Sequence, residues 1–246
     1  MTTSALDMAE ALEQQQLEAL GEKFIQKSWL FHLADGDRSA PGRAPGQQVL
    51  MGEDPRLPQM PEAPTLLDFF RYRFSPSQQH LLQSARLARK NGLSGKMILA
   101  CLLHDIGTVG FIRSDHGYWG AQLVEPYVDE EVSWAIRMHQ VMKFFPDEDI
   151  GYRYPQSYVE MFGADYQPPA YVVAEYERAR KHKWYMSARI ICMNDEYAFD
   201  PNMEVPLEEF EGVIRDHFRQ PAEGLGNDDS PSAHMWRTLC RPCNAL

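Results

Sequence analysis

Residues 97–103 read Met-Ile-Leu-Ala-Cys-Leu-Leu, seven apolar side chains in a row, and the chain then presents His104 and Asp105. A segment apolar on every side must be buried on every side, so this run predicts a helix at the centre of a packed bundle. Its end on an imidazole and a carboxylate delivers two polar groups into that interior. Buried polar groups are costly unless they are hydrogen-bonded, paired or bound to a metal. The rest of the chain must therefore supply a centre for this helix to cross and partners for the two groups at its end.

Composition allows the first requirement. With 246 residues and 44 % hydrophobic side chains, a sizeable core can be buried. From residue 65 onward the periodicity is almost entirely helical. "SPSQQHLLQSARLARKNG" offers Ser75 as N-cap and Pro76 at the first helical position, and it closes at Asn91-Gly92. The apolar run predicts a helix from near Ser94 to Gly107. Others follow from Asp115 to before Pro126, and from Asp129 to about Phe145. "PQSYVEMFG", "PAYVVAEYERARKH", "WYMSARIICMNDEYAF" and "PLEEFEGVIRDHFRQP" read as four more. No segment alternates convincingly with period two. The expectation is an all-α bundle over residues 65–220, with an arm at each end. The N-terminal arm, 1–64, opens with an amphipathic pattern over 6–27 and continues through a Pro/Gly-rich stretch from 33. The C-terminal tail covers 221–246.

The net charge of -11 argues against nonspecific binding to nucleic acid or to an anionic membrane. The first residues, "MTTSALDMAEALEQQQ", are polar and acidic and do not resemble a signal peptide. No apolar run approaches the ~18 residues of a membrane span. Of four cysteines, Cys101 and Cys192 fall in buried helices, and Cys240-x-x-Cys243 stands alone and reads as reduced thiols. These features lead us to expect a soluble, cytoplasmic protein.

The partners of His104 and Asp105 come from other helices. His80 lies mid-helix one element earlier, His116 opens the next helix, and His139 lies within "WAIRMHQVMKFF". Asp195 sits inside the largely apolar "ARIICMNDEYAF". One histidine on an apolar helix is more often a hydrogen-bonded core residue than a ligand. Six such groups, on five successive major helical segments, would each need a separate partner. A single metal centre satisfies all of them, and helical bundles build metal sites from facing helices in this way. His32, His182, His217 and His234 lie near loops or charges and are left outside the set.

The order His80, His104-Asp105, His116, His139, Asp195 resembles the HD-domain superfamily in its expanded, two-metal form. Within it, "QHLLQSARLA", "LACLLHDIG", "HGYWGAQLV" and "EEVSWAIRMHQVMKFF" are most similar to the mixed-valent di-iron oxygenases. That group includes myo-inositol oxygenase and (2-amino-1-hydroxyethyl)phosphonate dioxygenase. The resemblance covers about residues 75–200. It implies that His80, His104 and Asp195 hold one iron, that His116 and His139 hold the other, and that Asp105 bridges them. It also implies a contact between Lys143, one helical turn after His139, and an anionic group of the substrate, with Lys143 beside Asp105 in the catalytic set. Arg189 is a weaker candidate for the same anion, its alternative being a helix-surface salt bridge. In the phosphonate-cleaving relative a tyrosine and a glutamate a few residues before the first ligand cover the open iron site; Tyr72 is the candidate substitute for that tyrosine, and the glutamate has no counterpart here. Thr108 replaces the lysine that ends the corresponding motif in HD-GYP phosphodiesterases.

The resemblance implies a cofactor of two iron ions, Fe(II)/Fe(III), with O2 and a small hydroxylated, anionic molecule as partners. The reaction would be oxidation or cleavage at a C–C or C–P bond. The alternative is a metal-dependent phosphohydrolase using manganese, magnesium or zinc on a phosphate ester or nucleotide. A noncatalytic binding module on the same scaffold is a third reading. Histidine-rich ligation suits a redox metal better than magnesium, which prefers oxygen.

Overall fold

The computed structural model describes residues 9, 11, 58–75, 77–109, 115–224, 226 and 233–240. The helix predicted over 6–27, most of the Pro/Gly-rich stretch, Pro76 and Cys243 lie outside the described residues.

Thr65 opens the first described helix with a capping box. Its side chain accepts from the Asp68 amide, while the Asp68 carboxylate accepts from the Thr65 amide. This helix, α1 (Leu66–Tyr72), buries Leu66, Phe69 and Phe70. Next is α2 (Gln78–Lys90), whose N-cap is Ser77, two residues after the expected Ser75; its buried face includes His80, Leu81, Ser84, Ala85 and Ala88, the spacing of one helical stripe. The apolar run forms α3 (Gly95–Leu103), and every residue from Met97 to Leu103 is buried. His104 is its C-cap.

The prediction that this helix continues to Gly107 is corrected here: the chain tightens into a 3-10 turn over Ile106–Val109. Asp105 explains the change, because its carbonyl accepts from both the Thr108 amide (3.0 Å) and the Thr108 hydroxyl (2.7 Å).

Three further helices carry or support the site. They are α4 (His116–Val124), α5 (Glu130–Lys143) and, after α6 (Gln156–Phe162) and α7 (Ala170–Ala179), α8 (Tyr185–Glu196). Asp129 caps α5 by accepting from the Glu131 amide at 3.1 Å. Glu130 and Glu131 in its first turn and Lys143 in its last complement the helix dipole. The segment "PLEEFEGVIRDHFRQP", predicted as one helix, divides into a 3-10 turn over Leu207–Phe210 and α9 (Glu211–His217).

The protein is all-α. No strand occurs among the described residues, and one isolated antiparallel bridge joins Asp147 to Tyr152. One hydrophobic core runs through the bundle, from Leu66 and Phe69 through Leu99, Leu102 and Ile136 to Ile191. Helix α5 packs against α3, α4 and α8, and α8 packs also against α2 and α3. Each helix that supplies a candidate ligand therefore meets others that do so.

The described part of the tail packs on this bundle. Trp236 donates to the Pro64 carbonyl (3.2 Å) and meets the rings of Phe69, Tyr127 and Phe218. Arg73 donates to the carbonyls of Leu239 and Cys240. No described helix is long and apolar enough to cross a membrane.

Candidate metal centre

Burial on α2, α3, α5 and α8 carries four of the six candidate ligands inward. His80, His104, His139 and Asp195 are all buried. What the histidines present to one another is decided by their Nδ1 atoms. His80 Nδ1 meets the Ala198 carbonyl at 3.0 Å, His104 Nδ1 the Cys101 carbonyl at 2.7 Å, and His139 Nδ1 the Ile136 carbonyl at 2.6 Å. A carbonyl only accepts, so each Nδ1 carries a proton, and in the neutral ring Nε2 is a lone pair pointing inward. Such outer tethers fix the tautomer and orientation of a metal-binding histidine.

The inward atoms form two groups. In the first, His80 Nε2 lies 3.1 Å from His104 Nε2 and 3.1 Å from Asp195 Oδ1. In the second, His116 Nε2 lies 3.1 Å from His139 Nε2, and Asp105 Oδ1 lies 3.1 and 3.2 Å from the two. The Asp105 carboxylate stands between the groups. Its Oδ1 faces the second, while Oδ2 is 3.7 Å from His80 Nε2 in the first. The clusters His80–His104–Asp195 and His104–Asp105–His139 each bring ligand atoms within 4.8 Å of one another. Side-chain exposure differs between the groups: 0–4 % for His80, His104 and Asp195, but 18 % for Asp105 and 12 % for His116. The second group is the one solvent can approach.

In the first group, rings tethered in this way have, when neutral, no hydrogen to place between His80 Nε2 and His104 Nε2. Asp195 adds to the mismatch, since among the described residues neither of its buried oxygens receives a well-formed hydrogen bond. Its Oδ2 is instead 2.5 Å from the Lys143 ammonium. Imidazole nitrogens and carboxylate oxygens converging on one another are what a divalent cation requires, so the residues present fit a metal. The electrostatics agree. Burial works against ionisation of both carboxylates but is overcome: His116 and His104 hold Asp105 well below the usual carboxylate range, and Lys143 and His104 do the same for Asp195. Burial pushes His139 down to about 4, which keeps it neutral and able to ligate.

Backbone geometry brings the second group to the first. Gly107 touches α4 so closely that an added Cβ would lie 2.4 Å from the His116 carbonyl oxygen. At Gly117 the same atom would meet the Ile136 carbonyl at 2.9 Å and His139 Nδ1 at 3.2 Å. Gly120 is opposite Gly107, its Cβ position 3.4 Å from the Gly107 amide nitrogen. These glycines let the turn after Asp105, the first turns of α4 and the His139 turn of α5 meet backbone to backbone. Asp115, just before His116, is the one non-glycine residue with positive φ among those described (φ 55°, ψ 30°). The sequence reading missed the glycines. The signal available was two of them inside one short helix, Gly117 and Gly120, where glycine is otherwise unfavourable.

The remaining site candidates fall in different places. Lys143 is buried at the centre, paired with Asp195, its ammonium 5.7 Å from the Tyr158 ring centroid. Arg189 is fully buried and lies on no surface, so the salt-bridge alternative is corrected. All three of its guanidinium nitrogens donate within the protein, to Tyr185, Met142 and Phe145, so it is committed to protein acceptors rather than standing as an anion clamp. Tyr72 ends α1, is exposed, and shares no hydrogen bond, ion pair or ring contact with the six ligand candidates. Of the histidines left outside the set, His182 stacks on Trp134 and His234 bonds the Tyr127 hydroxyl at 2.9 Å.

Comparison with known proteins agrees with this geometry. Residues 78–163 match the family model of the HD domain, a span containing His80, His104, Asp105, His116 and His139. No curated protein matches the chain. The match supports the HD-domain superfamily and, with the His/Asp groups, a metal-dependent HD-family enzyme.

Proposed function

We propose that this protein is an HD-type di-iron oxygenase that uses O2 to oxidise or cleave a small hydroxylated, anionic molecule at a C–C or C–P bond. The observation that carries the reading is the division of Asp105 between two groups of donors, Oδ1 toward His116 and His139 and Oδ2 toward His80. A carboxylate so disposed suits two ions rather than one. Four imidazoles against two carboxylates favour iron over magnesium. When bound, the iron pair would supply O2 binding and one-electron chemistry that no side chain here can perform.

The chain's own residues contribute position and polarity. The Nδ1 tethers hold the Nε2 lone pairs of His80, His104 and His139 inward. The buried first group excludes water. Lys143 neutralises one Asp195 oxygen and is the cation available to an anionic substrate group.

The test is metal analysis with electron paramagnetic resonance on anaerobically purified, partly oxidised protein. Two irons per chain with a coupled Fe(II)/Fe(III) signal are expected. Manganese, magnesium or zinc without iron would overturn the oxygenase reading. It would favour the second one, a phosphohydrolase in which the same donors hold two hydrolytic ions and a water is the nucleophile. That reading draws on the exposure of the Asp105 and His116 side, where water can reach the centre.

A further inference from the structure

Arg189 is the largest fully buried side chain among the described residues, and its donors converge on one place. Nη1 donates to the carbonyls of Met142 (2.8 Å) and Phe145 (3.0 Å). Nε and Nη2 donate to the Tyr185 hydroxyl at 3.1 and 2.8 Å, and that hydroxyl donates onward to Asp147. The Tyr152 ring lies 4.9 Å from the guanidinium, and its hydroxyl donates to the Lys143 carbonyl at 3.2 Å. Asp147 and Tyr152 are themselves joined by reciprocal backbone bonds of 2.9 Å.

The last carbonyls of a helix lack partners within it and carry its negative end. Here the carbonyls of residues 142, 143 and 145, at the end of α5, are taken up by this one node. The node is rooted in α8, six residues before Asp195. The same two helices are joined again at the centre by Lys143 and Asp195, 2.5 Å apart.

Resting on the metal-centre reading above, we infer that Arg189 is a positioning residue. It locks the last turn of α5 to α8, and so fixes His139 and Lys143 relative to Asp195. No other residue type supplies this: a lysine has one nitrogen and cannot reach Tyr185 and two carbonyls together.

The test uses cobalt(II) as the probe, since its visible absorption reports ligand geometry and needs no substrate. Purified full-length protein is titrated with cobalt as wild type, Arg189→Met, Tyr185→Phe and Phe210→Ala. Phe210 is a core residue without contact to the six ligands, and it controls for loss of stability. Arg189→Met is expected to weaken cobalt binding about tenfold and to shift the absorption bands, as removal of outer-shell support does elsewhere. Tyr185→Phe keeps the two carbonyl bonds and should weaken binding about threefold, with a shift in the same direction. Phe210→Ala should melt earlier with unchanged cobalt affinity and spectrum. If Arg189→Met does not fold, Tyr185→Phe decides. Variants indistinguishable from wild type, or a control that moves equally, would overturn the positioning role while leaving the metal centre intact. A wild-type protein that takes up no cobalt would overturn both.

Discussion

Helices α5 and α8 share two buried polar clusters, and the two are built on opposite rules. Around Arg189 each of the three guanidinium nitrogens meets an acceptor, two carbonyls and a tyrosine hydroxyl that itself donates to Asp147. At the other cluster the inward nitrogens of His80 and His104 face each other at 3.1 Å, and Asp195 lacks well-formed hydrogen bonds among the described residues apart from its pairing with Lys143. A buried network whose donors and acceptors match serves the fold, whereas one whose acceptors converge on one another suits a cation.

The comparison breaks most sharply at Asp105. Asp105→Asn should abolish loading of both metals, an effect larger than about 100-fold in affinity and visible as metal content per chain. The same substitution should leave the metal-free melting temperature unchanged or raised, because the amide can donate to the bare Nε2 atoms. A variant that still loads two ions would remove Asp105 from the centre.

The complete cluster should behave the other way. Arg189→Met strands the Phe145 carbonyl and removes a donor from the Met142 carbonyl and the Tyr185 hydroxyl, and should cost about 3 kcal/mol of metal-free stability by denaturant unfolding. A cost no greater than that of Asp105→Asn would erase the distinction between the clusters.

A third buried pair sharpens the contrast. His234, wholly buried, bonds the Tyr127 hydroxyl at 2.9 Å and belongs to neither ligand group. His234→Ala should cost about 2 kcal/mol, speed amide exchange across residues 233–240, and leave metal affinity as it was.

The smallest effect lies at the surface. Hydrogen bonds from Arg86, aided by Arg89, hold Glu209 below the usual carboxylate range. Its carboxyl is more acidic folded than unfolded, so the stabilisation is present above the unfolded value of 4.5 and is lost as pH falls below it. Glu209→Gln should therefore cost about 1 kcal/mol or less at pH 7 and nothing measurable once the wild-type carboxyl is protonated in the folded and the unfolded chain.

The sequence carried the helical architecture well because each helix advertises its own ends. Asp115 and Asp129 stand as N-caps where expected, and the unbroken run from Met97 to Leu103 is buried throughout. The ligand candidates were legible because polar groups inside apolar helices are unusual enough to need a common cause. What was hidden depends on side chains distant in sequence. Arg189 looks like a helix-surface cation until Met142, Phe145 and Tyr185 are seen around it. The early end of α3 turns on a local contest between helix and the Thr108 hydroxyl, which periodicity does not register. The docking of Trp236 on Pro64 spans 172 residues and leaves no trace in either segment alone.

Gly107 and Gly117 offer neither a donor nor an acceptor side chain to any ion, yet one methyl group at either would press on backbone within 2.4 to 2.9 Å. That pressure would fall on the carbonyl of His116 or on the α5 turn that tethers His139. In a library of random single substitutions these two positions should prove as intolerant as the ligands themselves. A lineage could exchange one histidine for another donor more readily than it could enlarge the spacers that hold the halves together. The two ligand groups are therefore bound to diverge in concert, because the gap between them is set by atoms that are not there.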